Sequence, residues 1–349
     1  MYINRKNDIY YVFGRGSLAQ LGDLLKPRRE AVDGPVVYFV DHFFRDHELI
    51  GRLPMEKGDQ LHFVDSSSEP EVTRIDAFKE AVSAADSRTP CCVVGIGGGN
   101  ALDTAKAVAN LLTNPGKAED YQGWELVKNP AVYKIGIPTL SGTGSECSRT
   151  CVLTNIPKNL KLGMNSDYTV YDQLLLDPDL LATVPRDQYF YTGIDTFMHC
   201  VESLQGSYRN AIIDAFSVRA VQLCEEIFLS DDMMSASYIG GMAAGNVGVI
   251  HPFSAGLGVV LHVAHGLGNC LALNVLGDIY PKEYKQFRTM IERQGVNLPT
   301  GICKDLTEEQ YEGLYRGCIV HEKPLTNALG PDFKQILTRE NLIERYKSI

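Results

Sequence analysis

The run Cys91-Cys92-Val93-Val94-Gly95-Ile96 passes without a polar break into Gly97-Gly98-Gly99-Asn100 and then into Ala101-Leu102-Asp103-Thr104-Ala105-Lys106-Ala107-Val108. A short, continuously apolar segment reads as a strand buried on both faces, and the alanine-rich segment after the glycines is a good helix former. A strand, a tight turn and a helix in that order build a parallel sheet, because parallel neighbours need a helical crossover. Val36 to Val40 and Tyr133 to Ile137 repeat the strand signal. After about Ala182 the texture changes. Arg186 to Leu204, Asn210 to Leu229 and Asp231 to Leu276 carry apolar residues at helical spacing with few strand-like runs, and Pro178 and Pro185 bracket the change. The sequence predicts an α/β domain with a parallel sheet over 1–182 and an all-α domain over 183–349.

The length of 349 residues suits two domains with sizeable cores. Lys+Arg 33 against Asp+Glu 43 gives a net charge of −10, which argues against phosphate-backbone binding and so against a nucleic-acid partner. The nine cysteines are scattered without a CxxC pair, the pattern of reduced thiols rather than of a disulfide framework. Met1 to Phe13 lacks an apolar core for a secretory signal, and no apolar run approaches the ~20 residues of a bilayer span. A cytoplasmic protein without a membrane partner is expected.

Three glycines between a strand and a helix let the backbone approach an anion, while free N–H groups and the helix dipole favour a pyrophosphate there. That makes the first domain Rossmann-like and dinucleotide-binding, although the spacing is not a clean GxGxxG. A second strand ends in Pro138-Thr139-Leu140-Ser141-Gly142-Thr143-Gly144-Ser145-Glu146, whose hydroxyls suit phosphate, ribose or a carboxamide at the carboxyl edge of a sheet. Asp41 closes the Val36 to Val40 strand, where a carboxylate accepts ribose hydroxyls and repels a 2′-phosphate; NAD is therefore expected over NADP.

Asp195 and His199 stand four apart in a helical segment with Glu202 one turn on, so the three share a face. His251 and His265 are fourteen apart, and His262 precedes His265 by three. One aspartate with several histidines is a nitrogen and oxygen donor set fit for Zn²⁺ or Fe²⁺.

These pieces resemble the iron-containing, or group III, alcohol dehydrogenases. The resemblance rests on Phe13-Gly14-Arg15-Gly16, the Gly97 to Lys106 run, Pro138 to Glu146, Asp177-Pro178, Gly193-Ile194-Asp195-Thr196-Phe197-Met198-His199-Cys200-Val201-Glu202, His251 and His265-Gly266. It implies a dehydroquinate synthase-like architecture, with a dinucleotide domain, a helical domain and a metal in the cleft. It gives Asp195, His199, His251 and His265 the four ligand positions. The expected cofactor contacts are Asp41, Gly97, Gly98, Gly99, Asn100, Asp103, Thr139, Ser141, Thr143 and Lys161. Many members carry a further histidine four residues after the third ligand, implicated in proton relay. Ala255 stands there here, which leaves the proton to water or to another side chain such as His262.

Within this family the chain is similar to enzymes that oxidise the C8 hydroxyl of the acidic sugar 3-deoxy-manno-octulosonate, a step of lipopolysaccharide biosynthesis. Arg149, directly beyond the hydroxyl-rich loop, suits a sugar-acid carboxylate. The expected activity is metal-dependent oxidation of a primary alcohol to an aldehyde with a nicotinamide, by a homo-oligomer such as a dimer. A generic NAD-dependent alcohol or diol dehydrogenase, a lyase or cyclase of dehydroquinate synthase type, and a non-catalytic NAD sensor are the rival readings.

Overall fold

The structure, a computed structural model, describes residues 10–226, 231–242 and 247–349. Residues 1–9 of the N-terminal segment, 227–229 at the end of one expected helical stretch and 243–246 within another lie outside the described residues. The chain divides into two compact units. The first comprises the described residues of Met1–Leu140 with Ser145–Ile156 and Leu162–Thr183; the second comprises Ser141–Gly144, Pro157–Lys161 and the described residues of Val184–Ile349.

The first unit is built on a six-stranded sheet. Its strands are β1 (Tyr10–Phe13), β2 (Val36–Asp41), β3 (Gln60–Val64), β4 (Cys92–Gly97), β6 (Lys134–Pro138) and β9 (Gln173–Leu176), in the spatial order β1-β9-β6-β4-β2-β3. Every neighbouring pair is parallel. A small second sheet joins β5 (Gly123–Trp124), β8 (Leu160–Asn165) and β7 (Thr150–Asn155). Strands β2, β4 and β6 are the three that the apolar runs predict, and they lie inside the sheet, where both faces are buried.

Successive side chains of a strand point to opposite faces, and the core divides accordingly. Val37, Phe39 and Val93 pack with Ile75 and Val82 of α2 (Val72–Ala85) and with Ala105 and Val108 of α3 (Gly99–Leu111). Val36, Tyr38, Val40, Val94 and Ile96 pack on the other side with Leu21 and Leu25 of α1 (Leu21–Ala31). This alternation fixes the carboxyl ends of β2, β4 and β6 along one edge, so that Asp41, Gly97 and Pro138 close the three central strands.

Gly97 has φ +150, and a Cβ there would stand 2.7 Å from the Ala101 Cβ and 2.9 Å from the Asp41 Cβ. Gly97→Ala therefore meets backbone strain and two close contacts together. A loss of about 2–4 kcal/mol is expected in urea unfolding. An unchanged midpoint would show that the turn relaxes freely.

From Val184 onward the described residues form helices and no strand: α4 (Arg186–Gln205), α5 (Ala211–Glu226), α6 (Asp231–Gly241), α7 (Ile250–Leu261), α8 (His265–Val275), α9 (Pro281–Gln294), α10 (Glu308–Ile319), α11 (Glu322–Leu329), α12 (Phe333–Ile336) and α13 (Arg339–Lys347). Helix α4 packs against α5, α6 and α8, and α7 against α8 and α10. Glycines bring α7 and α10 together: a Cβ on Gly256 would lie 2.7 Å from the Leu314 carbonyl oxygen. Among the described residues no helix is long and apolar enough to cross a membrane.

Candidate active site

The helical spacing puts Asp195, His199 and Glu202 on one buried face of α4. Helix α7 brings His251 in its first turn, and His265 opens α8. The Asp195 carboxylate is fully buried. Its Oδ1 lies 3.2 Å from His251 Nε2, 3.5 Å from His265 Nε2 and 3.7 Å from His199 Nε2. The ligand atoms of Asp195, His251 and His265 all fall within 4.8 Å of one another. The His199 ring stacks on that of His251, with centroids 4.3 Å apart, beside this tight group rather than inside it. His262, expected nearby, is an exposed residue in the left-handed conformation that ends α7, and the three-residue group does not include it.

The group has an outer frame that the sequence did not reveal. Asn269, one turn after His265 on α8, donates to Asp195 Oδ1 at 2.7 Å. His251 Nδ1 meets Glu202 Oε2 at 2.5 Å, while Glu202 Oε1 accepts from the Ile250 N–H at 2.6 Å and from the Tyr280 hydroxyl at 2.9 Å. Ser254 Oγ lies 3.4 Å from His265 Nδ1. Each contact turns a ring or carboxylate toward the centre, the office of the groups that surround metal ligands.

Electrostatics follow from this crowding. Burial pushes the Asp195 carboxyl up, but the imidazoles of His199, His265 and His251 outweigh it and hold the group well below its usual range. His199, buried with little compensation, is pushed down to about 3. Burial also disfavours charge on His251, yet Glu202 and Asp195 prevail and raise it to about 9. A divalent cation suits the site on a separate ground. Asp195 Oδ2 and His199 Nδ1 are buried without a hydrogen-bond partner, and a buried unpaired carboxylate oxygen is costly unless something positive meets it.

Glu202 holds His251, the histidine nearest Asp195, so Glu202 has a measurable consequence. Glu202→Gln is expected to weaken Zn²⁺ binding by roughly 10–100-fold while the fold persists, the usual effect of removing an outer partner. Competition with a chromogenic chelator checks it, and an unchanged affinity would mean that Glu202 serves packing alone.

The two loops of the carboxyl edge are adjacent. Gly97 lies in register with Pro138, and the Thr139 N–H donates to the Gly97 carbonyl at 3.0 Å. Helix α3 begins at Gly99 with no side-chain cap, so its first N–H groups are left for an anion. Ser141 Oγ is buried and unpartnered. In the second unit the Gly142 N–H donates to Ser237 Oγ at 2.9 Å, and Thr196 Oγ1 donates to the Gly142 carbonyl at 2.8 Å, next in sequence to Asp195. Thr143 is half-buried, and Lys161 is buried with its Nζ 3.8 Å from where a Cβ on Gly258 would stand. Asp41 accepts from the Phe43 N–H at 3.0 Å and from Ser66 Oγ at 2.7 Å.

Two family descriptions match the chain: iron-containing alcohol dehydrogenase over residues 10–178, and the C-terminal part of the Fe-containing alcohol dehydrogenase family over 189–313. The chain belongs to the iron-containing alcohol dehydrogenase family. It is 30% identical to an alcohol dehydrogenase 4 of Saccharomyces cerevisiae over 278 residues, 75% of this chain and 71% of that protein. It is 35% identical to a sulfoacetaldehyde reductase of Bilophila wadsworthia over 218 residues, 59% of this chain; the match spans 56% of that relative's length. Among solved structures, a sulfoacetaldehyde reductase from Bifidobacterium kashiwanohense in complex with NAD⁺ superposes with a TM-score of 0.80 at 23% identity, covering 99% of this chain and 98% of the other. The iron-containing alcohol dehydrogenases are oxidoreductases, and so is this chain.

Three of the residues expected at the cofactor or the substrate have partners within the protein. Asp103 bonds Ser145 Oγ at 2.5 Å, the Val152 N–H at 2.9 Å and Lys106 Nζ at 3.3 Å, so its carboxylate ties α3 to β7. Asn100 donates to the Ser68 carbonyl at 2.7 Å, holding the turn that carries Ser66. Arg149 is clasped by Glu125 at 2.5 Å and Asp167 at 2.9 Å, two carboxylates that a substrate anion would have to displace.

Proposed function

We propose that this chain interconverts a short polar primary alcohol and its aldehyde, with a divalent metal at Asp195, His199, His251 and His265 and NAD held by the glycine and hydroxyl loops. The observation that carries the reading is the convergence of Asp195, His251 and His265, with the second Asp195 oxygen, Oδ2, buried and without a hydrogen-bond partner. A bound divalent ion supplies Lewis acidity toward the hydroxyl oxygen, and a nicotinamide supplies the hydride acceptor. The chain's own residues do the rest. Glu202 and Asn269 fix the donors, the uncapped start of α3 and Gly97 receive a pyrophosphate, and Ser141 offers a free hydroxyl.

The acidic-sugar expectation drew on the likeness to the octulosonate-oxidising enzymes, on Ala255 and on Arg149, and with Arg149 clasped by Glu125 and Asp167 the proposed substrate class widens. The sulfoacetaldehyde reductases among the relatives support a small polar aldehyde, and the yeast alcohol dehydrogenase supports simple alcohols. All nine cysteines are free and buried, which supports a reducing, cytoplasmic setting. A homodimer is supported by Tyr10, Tyr11 and Phe13, exposed aromatics on the edge strand β1.

The deciding experiment is turnover of Zn²⁺- or Fe²⁺-loaded protein with NAD⁺ over ethanol, 1,3-propanediol and sugar alcohols, and with NADH over the matching aldehydes and sulfoacetaldehyde. Conversion dependent on metal and abolished by a chelator is expected; inertness toward all of them overturns the reading. Asp41 at the end of β2 leads to a preference of roughly tenfold or more for NAD over NADP, since one repelled 2′-phosphate is worth on the order of 1–3 kcal/mol. Equal Kd values at matched ionic strength would place Asp41 elsewhere in function.

A further inference from the structure

Oxidising an alcohol to an aldehyde breaks a C–H and an O–H bond. The C–H electron pair leaves with hydrogen as hydride for C4 of the nicotinamide, which reduces NAD⁺ to NADH, and the hydroxyl gives its proton to water. Hydride crosses only between atoms held about 3–3.5 Å apart and aligned, so the nicotinamide ring must be fixed with respect to the groups that hold the alcohol. Those groups, around Asp195, ride on α4, α7 and α8 of the second unit.

The hydroxyl-rich loop divides between the units. Thr139 belongs to the first unit with Asp41 and Gly97, whereas Ser141–Gly144 belongs to the second. Gly142 is buried, and among the described residues each of its backbone polar groups has a side-chain hydroxyl as its partner. The N–H donates to Ser237 Oγ of α6 at 2.9 Å, and the carbonyl accepts from Thr196 Oγ1 of α4 at 2.8 Å. Buried backbone groups need partners, and with neither sheet nor helix to supply them here the two hydroxyls do so. The fit is close as well. A Cβ on Gly142 would stand 2.5 Å from the Thr192 carbonyl oxygen, and one on Gly144, which has φ +62, would stand 2.9 Å from the Gly241 nitrogen. Thr192 and Thr196 are one turn apart on α4, and Ser237 and Gly241 one turn apart on α6, so one face of each helix receives the segment. Asp195 is next to Thr196, and a helix turns about 100° per residue, which leaves its carboxylate to the histidines. The two other hydroxyls of the segment flank the anchor: Ser141 Oγ is buried without a partner, and Thr143 is half-buried. Any shift of Gly142 moves both.

We propose that Thr196 and Ser237 are positioning residues for hydride transfer: they fasten Gly142, and with it Ser141 and Thr143, to the helix that carries Asp195, and so fix the nicotinamide half of NAD relative to the alcohol. This rests on the alcohol–aldehyde reading above. The adenosine and pyrophosphate half answers to Asp41, Gly97 and the start of α3 in the first unit, outside this fastening.

The test uses full-length, Zn²⁺-loaded protein with ethanol or 1,3-propanediol, whichever the wild type oxidises faster. Thr196→Val keeps the shape of the side chain and removes its hydroxyl; Ser237→Ala removes the other hydroxyl. Each is expected to lower kcat by roughly 10–100-fold, the cost of about 1 Å of misplacement, with Zn²⁺ content and the Kd of ADP-ribose within about twofold of the wild type. Thr196→Ser, which retains the hydroxyl, should restore the rate. A readout independent of turnover is the fluorescence anisotropy of bound NADH, which reports the freedom of the reduced nicotinamide ring. With all NADH bound, it should fall in Thr196→Val and Ser237→Ala and recover in Thr196→Ser. An active wild type whose two hydroxyl-free variants keep kcat within about threefold, leave the anisotropy unchanged, or lose Zn²⁺ along with the rate overturns this proposal alone. A wild type inert toward every alcohol and aldehyde overturns the oxidoreductase chemistry and this proposal with it.

Discussion

His251→Ala is expected to empty the metal centre and to lower kcat/KM by about a thousandfold or more. The size follows from what the ion does: Lewis-acid stabilisation is worth several kcal/mol, and each decade of rate is about 1.4 kcal/mol. The substitution removes one of three donors whose ligand atoms lie within 4.8 Å. It also leaves Glu202 buried with the Gly248 and Ile250 N–H groups and the Tyr280 hydroxyl as partners. His262→Ala is the matched control, since that side chain is exposed at the end of α7 and outside the group. Elemental analysis of the purified variants, beside steady-state rates, separates the two. Full ion occupancy in His251→Ala, or an emptied site in His262→Ala, would reverse the assignment of these histidines.

The ease with which different parts of this molecule can be read from sequence follows from the range of the interactions that make them. Strands β2, β4 and β6 are continuous apolar runs because both faces of a central parallel strand are buried, and burial of that kind writes itself into composition. The edge strand β3, Gln60-Leu61-His62-Phe63-Val64, mixes polar and apolar residues, and β9 is only four residues long, so neither stands out. On α4 the spacing of Asp195, His199 and Glu202 is a local matter of helical geometry and is visible at once. That His251 and His265 meet Asp195 depends on α7 and α8 packing beside α4, and in the sequence the family resemblance is what points to it. Asn269 and Tyr280 carry no such hint, because asparagine and tyrosine serve many ends. Arg149 shows the converse situation. Its place after the hydroxyl-rich loop suggests a substrate anchor, yet Glu125 and Asp167, brought in from sequence-distant positions, already satisfy it. Asp103 and Asn100 sit inside the most recognisable motif of the chain and still work as ties within the fold.

The affinity of the metal-free protein for Zn²⁺ should rise about tenfold per pH unit between pH 6 and 8, roughly a hundredfold in all, and level off above about 9. His251 lies between Glu202 Oε2 at 2.5 Å and Asp195 Oδ1 at 3.2 Å, and these carboxylates raise it to about 9 against the cost of burial. A metal needs the lone pair on Nε2, so one proton must leave before the ion can bind, and the price of removing it falls as pH approaches 9. His199, pushed down to about 3, is already neutral across this window, and the Asp195 and Glu202 carboxyls are held below their usual ranges, so none of them adds to the slope. The same shift bears on stability with a fixed sign. A folded-state value raised from 6.5 stabilises the metal-free protein fully below about pH 6.5, and that contribution is lost as pH rises through about 9. Loaded with metal, the protein should lack this decline, since the ion has taken the proton's place between the carboxylates. Chelator competition corrected for chelator protonation gives the first slope, and calorimetry in buffers of different ionisation enthalpy should count about one proton released per ion at pH 7. Glu202→Gln removes one of the two carboxylates, so the level region should begin at a lower pH in that variant. A Zn²⁺ affinity independent of pH across this range would mean that His251 is already neutral without metal, and that Glu202 orients the ring without charging it.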